Sequence, residues 1–158
     1  MTSPSPLSGE LKNQYQEGPA IFSNDAKNIY FTRSSTIETE EGNALYLNIF
    51  KVKEENVNIP DSVLGLSINN SEYSVMHPTI TRNGNRMYFA SDMPGGYGGM
   101  DLYYCEIYGL YKQFFLSDTT ATRELIRLSR PVNLGDKINT EGNEVFPFHL
   151  DDKTLFFA

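Results

Sequence analysis

The stretch Gly18-Pro19-Ala20-Ile21-Phe22-Ser23-Asn24-Asp25-Ala26-Lys27-Asn28-Ile29-Tyr30-Phe31-Thr32 decides the reading of this chain, because it is written three times. It returns as His77-Pro78-Thr79-Ile80-Thr81-Arg82-Asn83-Gly84-Asn85-Arg86-Met87-Tyr88-Phe89-Ala90 and as Phe146-Pro147-Phe148-His149-Leu150-Asp151-Asp152-Lys153-Thr154-Leu155-Phe156-Phe157-Ala158. Each copy runs through a proline, a short apolar strand, a polar turn with a basic residue, then an aliphatic residue, two aromatics and a small residue. Tyr30 and Tyr88 are 58 residues apart, Tyr88 and Phe156 68. Self-similarity on this scale marks stacked units rather than one unrepeated core.

Within a copy every segment reads as β. Pro19 to Phe22 forms a first strand, with proline at its first residue where the missing N–H matters least. Asn83-Gly84 is a hairpin signal. Ile29-Tyr30-Phe31, Met87-Tyr88-Phe89 and Leu155-Phe156-Phe157 are unbroken apolar runs, which fit strands covered on both faces. Third strands follow at Leu45 to Val52 and Asp101 to Ile107, and outer strands near Ser62 to Leu66 and Arg130 to Leu134. The connectors Ile68-Asn69-Asn70-Ser71-Glu72 and Ile138-Asn139-Thr140-Glu141-Gly142 then lead into the next copy.

Four-stranded units repeated radially are β-propeller blades. The expected fold is therefore all-β, a propeller piece of about two and a half four-stranded antiparallel blades. Residues 1–10 form a flexible N-terminal segment, 11–67 blade 1, 68–137 blade 2 with an extended excursion at 108–126, and 138–158 the start of blade 3. A parallel β-helix would need shorter rungs, and a sandwich would not repeat its sequence. The third copy stops inside its strand, so the chain reads as cut. Open blade faces and strand edges are expected, and with them oligomers or aggregates of the purified chain.

The 158 residues carry a net charge of −7 and a pI near 4.8. That balance argues against nucleic acid, whose phosphates need a basic face, and against adhesion to an anionic membrane. No stretch is apolar and long enough to span a bilayer. The first eighteen residues contain no apolar signal-peptide core. A single cysteine, Cys105, excludes an internal disulfide framework.

Pro94-Gly95-Gly96-Tyr97-Gly98-Gly99 looks like a phosphate cradle, but the strand beginning Asp101-Leu102-Tyr103 follows it where a cradle needs a helix N-terminus. The glycines are read instead as supplying positive φ in a tight loop, and Asp101 as accepting backbone N–H groups there. Tyr97 at the loop apex is a candidate partner contact. His77 and His149 are read as lining inner strands, hydrogen-bonded to backbone. They lack the Cys or carboxylate spacing of a zinc site. Asp92, Asp101, Asp136, Asp151 and Asp152 form no calcium-loop pattern, so neither a metal nor another cofactor is expected. Cys105 reads as a buried structural thiol, and Glu141 and Glu144 as solvated connector residues. There is no G-x-S-x-G nucleophile elbow, and no catalytic residue is assigned. The excursion Tyr108 to Asp118 is aromatic, with Tyr111, Phe114 and Phe115 as candidate binding residues. Two readings of it stand: an extended hairpin continuing the third strand, and a loop whose aromatics fold back over the sheet edge.

The phrases Ser91 to Tyr103 and Arg130 to Phe148 resemble TolB-like, WD-type propeller repeats. Together they resemble the propeller of OmpA-family peptidoglycan-associated lipoproteins of Bacteroidota, a group with type IX secretion and gliding components. The likeness covers about Leu11 to Ala158. It departs from the family at Ala26, which replaces the usual turn glycine, at the compressed Asp151-Asp152 turn, and in the long segment Tyr108 to Ile126. The resemblance implies a periplasmic, outer-membrane-associated scaffold whose partners are other envelope proteins. Peptidoglycan would be reached only through a domain that these residues do not include, with no direct membrane insertion. Two other functions remain open: a gating propeller of a prolyl-oligopeptidase-type serine peptidase, and a carbohydrate-binding propeller, which the absence of Trp disfavours.

Overall fold

The computed structural model describes residues 16–39, 42–57, 62–116, 119–151 and 153–158; for 37–39, 43, 110–116 and 119–125 it describes strand backbone alone. The expected flexible segment 1–10 lies outside the described residues. Strands β1 (Glu17–Phe22), β2 (Asn28–Thr39), β3 (Gly42–Lys53) and β4 (Leu64–Gly65) form an antiparallel sheet in chain order. A second antiparallel sheet runs β5 (Val75–Ile80), β6 (Arg86–Ser91), β7 (Asp101–Leu116) and β8 (Thr119–Leu128), with β9 (Val132–Asn133) also on β7. The third copy is a hairpin of β10 (Phe148–Asp151) and β11 (Thr154–Phe156). Among the described residues there is no α-helix, only a 3-10 turn at Glu54–Asn56. The chain is all-β and antiparallel.

The repeat is physical as well as textual. In the first turn Ser23 N donates to Asn28 O and Ala26 N to Ser23 O, both at 2.8 Å. In the second, Thr81 N donates to Arg86 O at 2.9 Å and Gly84 N to Thr81 O at 2.8 Å. Asp25 Oδ1 accepts the Ser23 hydroxyl and the Lys27 amide, as Asn83 Oδ1 accepts the Thr81 hydroxyl and the Asn85 amide. In the third, Asp151 Oδ1 accepts the Lys153 amide. Asn83-Gly84 is not the centre of a two-residue turn. Only Gly84 is left-handed (φ 75°), as the last residue of the four-residue turn Thr81–Gly84, and Ala26 holds the same place in Ser23–Ala26 at φ 55°.

The prolines also sit differently from the expectation. Pairing shifts register between Glu17 and Ala20 and between Met76 and Thr79, so Pro19 and Pro78 lie inside bulges rather than at strand starts. A bulge leaves a residue unpaired, and proline has no N–H to pair. His77 and Phe146, each just before a repeat proline, adopt φ of 55° and 53°.

Ile29 and Phe31 pack with Val52 and Val57 on one face of the first sheet, while Tyr30 and Ile49 meet Ile80, Met87, Phe89, Tyr103 and Cys105 of the second on the other. Full burial of each such side chain is worth about 1.5–3 kcal/mol. Met76, Ala90 and Leu102, on the far face of the second sheet, pack against Val145, just before the third copy, and Leu155 within it. Two-sided coverage stops there: Phe156 and Phe157 are 54% and 42% exposed.

The outer strands fall where expected but hold two residues each. The excursion is a strand pair. β7 continues unbroken to Leu116, and β8 returns from Thr119 through ten cross-strand pairs from Ile107↔Leu128 to Leu116↔Thr119.

Candidate functional site

The glycine-rich loop joins β6 to β7 and is zipped to the connector that precedes the third copy. Asp101, 1% exposed at the first position of β7, turns its carboxylate back into the loop. It accepts the amides of Tyr97 at 2.6 Å and Gly98 at 3.1 Å, and the side-chain amide of Asn133 at 2.8 Å. Gly99 N donates to Gly142 O at 2.8 Å, Met100 N to Asn143 Oδ1 at 2.9 Å, and Glu144 N to Met100 O at 2.6 Å. The amides from Tyr97 to Met100 are thus all committed, and a carboxylate sits among them. That arrangement repels a phosphate rather than cradling one.

The glycines serve a purpose other than the expected one. Only Gly95 has a positive φ, at 92°. Gly96, Gly98 and Gly99 are needed for close approach. A Cβ on Gly96 would lie 2.6 Å from Asp101 Oδ2, and one on Gly98 2.6 Å from the carbonyl carbon of Glu141. A Cβ on Gly99 would overlap Asn143 Oδ1. Pro94 and Tyr97 face solvent, the latter 51% exposed.

Each connector holds an asparagine whose role the sequence reading missed. Asn139, 2% exposed, accepts Leu102 N at 2.8 Å and donates to Leu102 O at 3.0 Å and Asn133 Oδ1 at 2.8 Å. Asn69 does the same to Ile49, accepting its N at 2.9 Å and donating to its O at 2.7 Å. Each side-chain amide acts as a one-residue strand on the third strand of its unit. The signal was present as Ile-Asn at the head of both connectors. Glu144 is not solvated. It is 6% exposed, and its carboxylate accepts the Thr140 amide at 3.0 Å and the Thr140 hydroxyl. Glu141 is exposed.

His77 Nδ1 accepts the Phe146 amide at 3.4 Å, and its ring stacks on Phe146 at 3.9 Å. Burial lowers its pKa from the ordinary histidine value. His149 stacks on Tyr88 at 5.9 Å, and its backbone N donates to Thr79 Oγ1. Cys105 is fully buried in the central cluster, and burial pushes its thiol up to about 12, which leaves it protonated and unreactive at neutral pH. Asp25 and Asp151 are exposed, and turn hydrogen bonds hold both carboxyls below the usual range: chiefly from Ser23 and then Lys27 for Asp25, and from the Lys153 amide for Asp151. Arg86 lies directly opposite Glu106, binds it through Nε at 3.0 Å, and covers the Tyr104 ring at 4.3 Å. No sequence signal marks that pair before register is known.

The four candidate binding residues do not converge. Tyr97 precedes β7, whereas Tyr111, Phe114 and Phe115 lie along its distal half opposite Glu124, Ala121 and Thr120. Ten strand residues from Asp101 to Tyr111 span roughly 33 Å. The side chains of Tyr111, Phe114 and Phe115 lie outside the described residues. Among the described residues no cluster of three or more His, Cys, Asp or Glu is placed to hold a metal ion, and no helix is long and apolar enough to cross a membrane. No protein-family model, curated protein or solved structure matches the chain.

Proposed function

We propose that the two sheets and the third hairpin are successive blades of a β-propeller, and that the chain is a non-enzymatic protein-interaction module. The observation that carries this reading is the re-use of one set of bonds in consecutive units. The turn network recurs around Ser23 and Thr81, and the amide bridge recurs at Asn69 and Asn139. The faces of consecutive units stack on one another, and Phe148, Leu150 and Phe156 of the third, 52%, 56% and 54% exposed, offer the surface on which a further unit packs.

The assignment to a periplasmic, outer-membrane-associated scaffold, of the kind linked to type IX secretion or gliding, rests on the resemblance of Ser91 to Tyr103 and Arg130 to Phe148. A fold alone does not specify such a role. Sequencing the reading frame on both sides tests it. Further copies of the repeat, followed by an OmpA-like peptidoglycan-binding domain, are the expected result. A downstream hydrolase domain with a G-x-S-x-G elbow would overturn it and make these blades an enzyme's gate.

A further inference from the structure

We propose that the outer edge of β8 docks an extended, acidic polypeptide segment, which adds to the second sheet as a further strand. The inference depends only on this sheet, whatever ring it belongs to.

The first sheet finishes on β4, which covers only Phe50 and Lys51 of β3, and the inner half of β7 carries β9, which covers only Tyr103 and Tyr104. β8 is ten residues long and, among the described residues, pairs with β7 on one side only. A long unpaired edge is a row of backbone donors and acceptors, and peptides are commonly recognised by adding to such a row. A two-stranded ribbon is also marginally stable by itself, so a third strand stabilises the arm as it binds.

Charge selects the occupant. Residues 107–130 hold four basic side chains (Lys112, Arg123, Arg127, Arg130) and two acidic ones (Asp118, Glu124), in a chain of net charge −7. At the base of β8, Arg127 and Arg130 are exposed and form no ion pair among the described residues. With Tyr108, 51% exposed and directly opposite Arg127, and with Leu128 and Ser129, they line a cleft of about 530 Å³. Arginines at the end of an open edge favour carboxylates on the incoming strand.

The test uses a fluorescein-labelled peptide of alternating Glu and Val, titrated by fluorescence polarisation. The expected result is saturable binding that weakens as salt rises, with slowed amide exchange in 119–128. The double variant Arg127→Glu/Arg130→Glu, at two exposed positions, should bind about tenfold more weakly with unchanged circular dichroism. Equal binding of an alternating Lys and Val peptide would overturn the charge argument. Equal binding of a Glu and Val peptide N-methylated at every second residue would overturn strand addition, because that peptide keeps its charge and loses one row of donors. Absence of saturable binding would overturn the whole proposal. So would sedimentation of the free protein as a dimer that the double variant dissociates or tightens, because β8 would then be occupied by a second copy.

Discussion

Replacing Asn139 by alanine should be the most damaging polar substitution in the connector, and its size follows from the bonds it removes. The side chain makes three, at 2.8, 3.0 and 2.8 Å. Two of the groups left behind keep another partner: Leu102 O still accepts Leu134 N, and Asn133 Oδ1 still accepts Gly135 N. Leu102 N does not, and Leu102 is fully buried. At about 1 kcal/mol for each lost bond, weighted toward the orphaned donor, the expected loss is about 3 kcal/mol. Asn69→Ala breaks two bonds, so about 2 kcal/mol is expected there. Urea unfolding followed by circular dichroism measures both, and amide exchange at Leu102 supplies a local readout. A loss of ~3 kcal/mol corresponds to roughly a hundredfold faster exchange. If Asn139→Ala shifts stability by less than about 1 kcal/mol and leaves Leu102 exchange unchanged, the amide bridge does not hold the strand and the reasoning fails.

Ala26→Gly should raise stability by about 0.5 kcal/mol, since relief of the left-handed φ of 55° exceeds the added backbone entropy; Gly84→Ala should lower it by about 1 kcal/mol in the same urea assay. Gly98→Ala should cost about 1–3 kcal/mol, because its Cβ would press on connector backbone rather than on a movable side chain. A midpoint unchanged from the parent would show that the loop is not zipped to the connector. His77 is held below its ordinary pKa by burial, so the unfolded chain takes up its proton first. The stability it contributes is fully present above pH of about 6.5 and is lost as pH falls below that. Asp25 and Asp151, both held below the usual carboxyl range, stay ionised over that window. Thermal melts between pH 7 and pH 5 should therefore show a decline that His77→Asn flattens; equal slopes in both proteins would count against it.

The sequence by itself determined the β class and the turns. Those features are local: a hydroxyl or carboxamide two residues from an amide finds it whatever the rest of the chain does, as at Ser23, Asp25, Thr81 and Asn83. Two-sided burial of Ile29-Tyr30-Phe31 was legible for the same reason, since three consecutive apolar residues leave a strand no face for water. What only the tertiary structure decided are the relations between distant segments. Three of the four loop glycines are fixed by atoms of Asp101 and of the connector more than forty residues on, and no pattern within the loop reveals that contact. The work of Asn139 depends on a strand 37 residues earlier, and the Arg86–Glu106 pair on a register that one residue of slip would destroy. Whether the excursion folded back or extended was equally beyond the sequence, because that choice is made by cross-strand pairing of Ile107–Leu116 with the whole of β8.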